Sequence, residues 1–184
     1  MSRIAALATI EASPAASQPL LEGVKKMLGS VPNLFRTVAL SPAALQGYLG
    51  LNGALAKGRL NAATRERIAI AVAEINECGY CLSAHSYIAK NMVKLDDHEI
   101  AASRGAAAAD PKAAAALRFA AKVVQARGHV SDTDVAEVKA AGYDDGEVME
   151  IVAHVALNTL TNYVNEVAKT DIDFPIVSAK RDAA

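Results

Sequence analysis

From about residue 18 onward, apolar residues recur three and four apart, and each such run is closed by helix punctuation. Leu20 to Leu28 stops at Gly29, and Pro32 opens a short segment that reaches Val38. Ser41 and Pro42 stand as cap and first residue of a helix running to Gly58. Asn61 caps AATRERIAIAVAEINE, and Asp96 or Asp97 starts a short helix that ends at Gly105. The second half repeats the grammar. Asp110 and Pro111 begin a helix that runs to Gly128, with Lys122 and Arg127 near its carbonyl end. Ser131 opens SDTDVAEVKAAG, which stops at Gly142. Asp144 and Glu147 have capping-box spacing before EVMEIVAHVALNTLTNYVNEVAK. Alternating β-branched runs bounded by turn residues do not occur. The pattern predicts an all-α protein with an extended arm over residues 1–17, one helical domain over 18–170, and a strap over 171–184 that contains Pro175.

Composition sharpens this picture. A chain of 184 residues suits one domain with a real core. Its 52% hydrophobic content is rich in alanine, with no tryptophan and 4% aromatic residues, so closely approaching helices must build that core. LGLNGALA, RIAIAVA and IVAHVALNTL are apolar on more than one face, and not every helix of a short chain can be central. We therefore expect another copy of the chain to cover some of these faces.

The formal charge of −1 offers no electrostatic reason to expect nucleic acid or an anionic membrane as partner. The run IAALATI near the start is cut short by Glu11, unlike a secretory signal, and no stretch nears the ~20 apolar residues of a membrane span. With two cysteines the chain is not a disulfide scaffold, and the expected address is the cytoplasm.

Both cysteines lie in AEINECGYCLSAHSY, residues 73–87. A purely structural bridge between Cys78 and Cys81 would close too small a loop to constrain the unfolded chain much. A zinc site would draw on the CxxC and on His85 or a glutamate, yet no second CxxC or HxxxH completes the tetrahedron, and His98, His129 and His154 are scattered. Redox chemistry uses the spacing best, because two sulfurs three apart at a helix start can close and reopen with little backbone movement. Gly79 between them permits a bend, and a helix N-terminus there would favour a thiolate. His85 follows Cys81 by four residues, over the same helix face, where it can take the thiol proton or stabilise the thiolate.

Two glutamates compete as partners. An unbroken helix would set Glu74, Cys78, Cys81 and His85 within about 60° of one another. Glu66 would stand roughly 18 Å from Cys78 on such a helix and could join the site only if the chain folds back or a neighbour intervenes. Each is equally readable as a helix-surface charge, Glu66 beside Arg65 and Arg67, Glu74 near Glu77. His154, Asn158 and Asn162 form a polar stripe at spacing four on the last long helix; once buried they need partners, across helices or subunits or in a substrate pocket.

TRERIAIAVAEINECGYCLSAHSYIAK resembles the core of the carboxymuconolactone decarboxylase and D-type alkylhydroperoxidase superfamily, particularly its peroxidase-related branch. The flanks VPNLFRTVALSPAALQGYLGLNGALAKGRLN and NTLTNYVNEVAKTDIDFP agree, so the resemblance covers most of the chain. It implies an all-α, D-type alkylhydroperoxidase-like helical bundle that assembles as a homo-oligomer, often a trimer or hexamer. It further implies that Cys81 is the peroxidatic thiol, Cys78 the resolving thiol, and His85 with Glu66 the proton relay, leaving Glu74 as a neighbour that orients the site. The implied substrate is a hydroperoxide and the implied reductant an external dithiol, lipoyl-bearing or thioredoxin-like, with no metal, haem or flavin. Decarboxylases of the superfamily generally lack the redox pair. This chain departs from the characterised D-type enzymes at Tyr80, where they carry histidine, which bears on proton transfer and on the choice of reductant. A general dithiol-disulfide oxidoreductase or redox sensor, and a lyase of the same fold, are the alternative functions.

Overall fold

The computed structural model describes residues 2–180. Among them the regular structure is entirely helical: α1 (Gln18–Leu28), α2 (Asn33–Val38), α3 (Pro42–Leu55), α4 (Ala62–Ile75), α5 (Gly79–Ile88), a π-helical turn (Ala89–Val93), α6 (Asp97–Arg104), α7 (Pro111–Gln125), α8 (Asp132–Ala140) and α9 (Asp145–Ala168). Side-chain caps start most of them. Asn61 Oδ1 accepts from Thr64 N at 2.8 Å, Asp96 Oδ1 accepts from Glu99 N at 2.8 Å, and Ser131 and Asp144 each close a capping box. Several helices end before the glycine that signals their stop. α3 ends at Leu55 rather than Gly58, and α7 at Gln125, because the last residues are spent on the turn itself, with Arg127 (φ 53°) and Gly128 (φ 84°) both left-handed.

The core is organised about α4, in which Ile68, Ile70, Ala71, Val72 and Ala73 are fully buried. Ile70 and Ala73 join a cluster with Leu21, Phe35, Leu45 and Leu82, whereas Ile68 and Val72 join another with Leu117, Phe119 and Ile151. Each such isoleucine or leucine contributes about 1.5–3 kcal/mol by burial. The alanines Ala113 to Ala116 and Ala120 of α7 are buried, and Ala116 and Ala120 lie in this second cluster, where their small side chains let two backbones come close.

The chain reverses between α4 and α5. Glu77 takes a left-handed conformation (φ 52°) and Cys78 N donates to Ala73 O at 2.9 Å, closing a Schellman-type turn. The helix through ExxxCxxCxxxH is therefore broken, and the bend falls at Glu77 rather than at Gly79.

Both ends of the chain lie on the bundle. In the arm, Ser17 Oγ donates to Ala39 O at 2.7 Å and Arg36 Nη1 donates to Ala8 O at 2.8 Å. The strap after α9 crosses the start of α5: Val177 N donates to Ser83 Oγ at 2.9 Å, Asn33 N donates to Asp173 Oδ2 at 2.8 Å, and the Phe174 ring packs on those of Tyr80 and Tyr87. Residues 181–184 of the expected strap lie outside the described residues. None of the described helices is long and apolar enough to cross a membrane.

Candidate active site

The turn that ends α4 makes Cys78 the N-cap of α5, where its Sγ accepts from Cys81 N at 3.3 Å. Cys81 sits in the first turn of that helix, at the end where free amide donors and the helix dipole favour an anion. Both sulfurs are buried, with residue exposures of 0% for Cys78 and 2% for Cys81. One turn further on, His85 Nδ1 meets Glu66 Oε2 at 2.8 Å. Glu66 reaches the site because the reversal at Glu77 lays α5 back along α4, so twelve residues of sequence become a side-chain contact.

Glu74 goes elsewhere. Its carboxylate receives Arg104 Nε at 2.7 Å and Arg104 Nη2 at 3.1 Å, in a pair that is largely buried, and it also accepts from Lys180 N at 2.8 Å. Arg104 in turn donates to Ser178 O at 2.8 Å. The straight-helix grouping of Glu74 with the sulfurs and His85 is thus corrected: the break at residues 76–78 separates them, and Glu74 fastens α6 and the strap.

A cavity of about 50 Å³ opens beside Cys81, lined by Tyr48, Tyr80, His85, Asn158 and Thr161 among others. Cys78 is not part of that lining. Tyr80, at the position where the resemblance expects histidine, does not supply a second base. Its hydroxyl accepts from Leu34 N at 3.1 Å, and burial pushes its phenol well above the ordinary range.

The electrostatics separate the two thiols. Cys81 is held down to about 7, first by the hydrogen bond with Cys78, then by the charge of His85 and the amides of Asn165 and Asn162, all against the cost of burial. Cys78 is pushed up, since it donates to Cys81 and is itself buried. Burial also disfavours charge on His85, but the carboxylate of Glu66 and its hydrogen bond outweigh that and raise the imidazole, with Cys81 adding to the effect. These shifts act together: Cys81 is drawn toward its thiolate and His85 toward its imidazolium.

The polar stripe of α9 divides. Asn158 lines the cavity and donates to its own helix at His154 O, 2.8 Å away. Asn162 Oδ1 accepts from Asn76 Nδ2 at 2.9 Å, tying α9 to the α4–α5 turn. His154 is 5% exposed, and burial, with Arg65 nearby, lowers it to about 4, so it stays neutral. Sequence reasoning missed Asn165, whose Nδ2 donates to Cys81 Sγ at 3.3 Å. The available signal was its place three residues after Asn162, one more polar position on an apolar face. For the zinc alternative, no group of three or more His, Cys, Asp or Glu side chains is gathered as metal ligands among the described residues.

An all-α bundle of nine α-helices among the described residues, with a dithiol capping α5 and a histidine–glutamate pair beside it, is the alkylhydroperoxidase AhpD-like fold. Residues 42–126, which hold both cysteines, Glu66 and His85, match the carboxymuconolactone decarboxylase family. Over nearly its whole length the chain is similar to an uncharacterised peroxidase-related protein from Ralstonia eutropha JMP134, described as an alkylhydroperoxidase AhpD core. The two share 28% identity with a TM-score of 0.82, covering 94% of this chain and 92% of that one. An uncharacterised peroxidase-related protein from Silicibacter sp. TM1040 has the same fold, at 24% identity and a TM-score of 0.79, with 91% of each chain covered. An uncharacterised protein of Haemophilus influenzae is 42% identical over 64 residues, 34% of this chain and 51% of that protein. The chain therefore spans about half the length of that curated relative.

Proposed function

We propose that the protein is a thiol peroxidase that reduces a hydroperoxide with electrons from an external dithiol. The observation that carries this reading is the meeting of Cys81 and His85 at a small cavity, with Glu66 hydrogen-bonded to His85 and the Cys78 sulfur hydrogen-bonded to the Cys81 amide. The Cys81 thiolate attacks the terminal peroxide oxygen; the O–O bond breaks, Cys81 becomes a sulfenic acid, and the departing alkoxide takes the His85 proton. Glu66 steadies the imidazolium beforehand and keeps its Nδ1 oriented. Cys81 has then lost its negative charge, which had held the Cys78 proton in place, so Cys78 can ionise. Its thiolate attacks the Cys81 sulfur, an S–S bond replaces S–O, and the departing hydroxide takes up the proton that Cys78 released and leaves as water. A dithiol of lipoyl or thioredoxin type then exchanges with the disulfide and restores both thiols.

The narrow space beside Cys81 suits hydrogen peroxide or the head of a slim alkyl hydroperoxide. The alternative of a general dithiol-disulfide oxidoreductase would cycle the same pair without consuming peroxide, so peroxide consumption distinguishes the two. Turnover of peroxide with an added dithiol is expected from the wild type and should vanish in Cys81→Ser; a Cys81→Ser protein as fast as the wild type overturns the assignment.

The reading includes assembly of identical copies. α3 carries no charged residue and buries only Leu45 and Leu55, and beside it α9 exposes Met149, Leu160, Tyr163 and Val167. Such a joined apolar face fits a second copy of the chain.

A further inference from the structure

The mechanism above leaves one group at the reactive sulfur without a task. Asn165 is 2% exposed, and its Nδ2 donates to Cys81 Sγ at 3.3 Å. Its Oδ1, the other end of the same amide, is buried and has no hydrogen-bond partner among the described residues. A buried carbonyl oxygen with nothing to accept is costly, and native structures rarely keep one without a reason. The amide cannot improve matters by turning over, because only its nitrogen can face an anionic sulfur.

Oxidation changes what the sulfur offers. A thiolate only accepts hydrogen bonds, whereas a sulfenic acid carries an O–H donor, at the spot where Asn165 keeps a free acceptor. Resting on the peroxidase reading, we propose that Asn165 is a further catalytic residue, donating through Nδ2 to the Cys81 thiolate and accepting through Oδ1 from the O–H of the Cys81 sulfenic acid. One side chain thereby serves both states of the sulfur without rearrangement. It also separates two duties. A neutral amide helps to keep Cys81 ionised, so the proton on His85 is free to go to the departing oxygen.

The neighbouring amide supports the same arrangement. Asn162 is fully buried, and its Oδ1 is taken by Asn76 Nδ2, which turns its own nitrogen away from Asn76. That nitrogen likewise has no partner meeting hydrogen-bond geometry among the described residues, and it adds a weaker pull on Cys81. The groups that titrate or carry charge around the sulfur are Cys78, Tyr80 and His85 at α5, Glu66 on α4, Tyr48 on α3 and, further off, Glu166 on α9. Asn165 is the direct side-chain donor to Cys81 contributed by α9.

Two substitutions separate the halves of the idea. Asn165→Leu removes donor and acceptor while filling the space; Asn165→Asp keeps the acceptor, removes the donor and, being nearly isosteric, guards against a leucine variant that fails to fold. The first readout is the titration of the Cys81 thiolate by its ultraviolet absorbance, with circular dichroism confirming the fold. The midpoint should rise by about one pH unit in Asn165→Leu, a tenfold change in the ionisation constant, and at least as far in Asn165→Asp. The second readout is the lifetime of the sulfenic acid formed by one equivalent of hydrogen peroxide in a Cys78→Ser background, followed by dimedone trapping. Adding Asn165→Leu should shorten that lifetime several-fold, and adding Asn165→Asp should largely preserve it. A folded Asn165→Leu variant whose midpoint or sulfenic acid lifetime matches the parent overturns the proposal. The titration needs no peroxide, so the outcomes are distinguishable: loss of turnover in the wild type would sink the peroxidase reading, whereas an unmoved midpoint sinks only the role of Asn165.

Discussion

At the scale of single residues, what decides the chemistry is which charges can see one another. Glu66 lies 2.8 Å from His85, and its carboxylate raises the imidazole against the opposing effect of burial. The reaction needs Cys81 ionised and His85 charged at once. Its rate should therefore climb as pH rises through about 7, where Cys81 loses its proton, and fall again at higher pH as His85 loses its own. In Glu66→Gln the support for the imidazolium is gone, so the descending limb should move to lower pH and the maximum should drop on the order of a hundredfold. A pH–rate profile of the two proteins checks this; superimposable profiles would remove Glu66 from the relay. The pairing of Cys81 with His85 was legible because it is a spacing of four on one helix. Glu66 was legible only through family resemblance, since no local period connects positions 66 and 85. Asn165 was not legible at all as a site residue, because an asparagine on a mostly apolar helix looks the same whether it meets a sulfur or another amide.

At the scale of elements, the site exists because one helix stops and another starts after only three intervening residues. The caps that begin α3, α4, α7, α8 and α9 were readable, since an N-cap is a side-chain preference that acts within three residues. The break after α4 was not, because it depends on Glu77 adopting a left-handed conformation that glutamate seldom takes, and the adjacent Gly79 drew the expected bend to the wrong place. The same oversight put Glu74 with the cysteines when it holds Arg104. Relief of this strain is testable. Glu77→Gly should raise stability by about 0.5–1 kcal/mol and leave peroxide turnover near the parent value, whereas Glu77→Val should lose stability by more than that. Thermal unfolding of the two variants checks the order; a glycine variant less stable than the parent would show that the turn carries no such strain.

At the scale of the whole molecule, the α3–α9 face sets the expectation of assembly. Leu160 is 47% exposed and Val167 63% exposed on a helix whose opposite side, with Ile151, Val155 and Asn162, is buried. Sedimentation at micromolar concentration should find an oligomer, and Leu160→Glu should shift it toward smaller species while leaving the helical content intact. A wild-type monomer would leave that face without the proposed cover. The apolar surplus behind this expectation was readable from the sequence, since three segments were apolar on more than one face. Which faces would be left open was not, because that depends on how α4 and α7 divide the interior between two clusters.

The strap closes the molecule over its own dithiol. Val177 is pinned to Ser83, Lys180 and Ser178 to the Glu74–Arg104 pair, and Ile172 packs within 3.8 Å of where a side chain on Gly79 would begin. On the peroxidase reading, a peroxide would reach Cys81 from the cavity side, whereas a donor approaching from the side of the strap would first have to lift it. The two half-reactions would then run on different clocks, one set by a small molecule's diffusion and the other by how often a stretch of backbone peels away. Weakening the tether with Ser83→Ala should leave the first oxidation unchanged in stopped-flow experiments and quicken recycling by a bulky donor; equal recycling rates would mean that electrons enter by the same door as the oxidant.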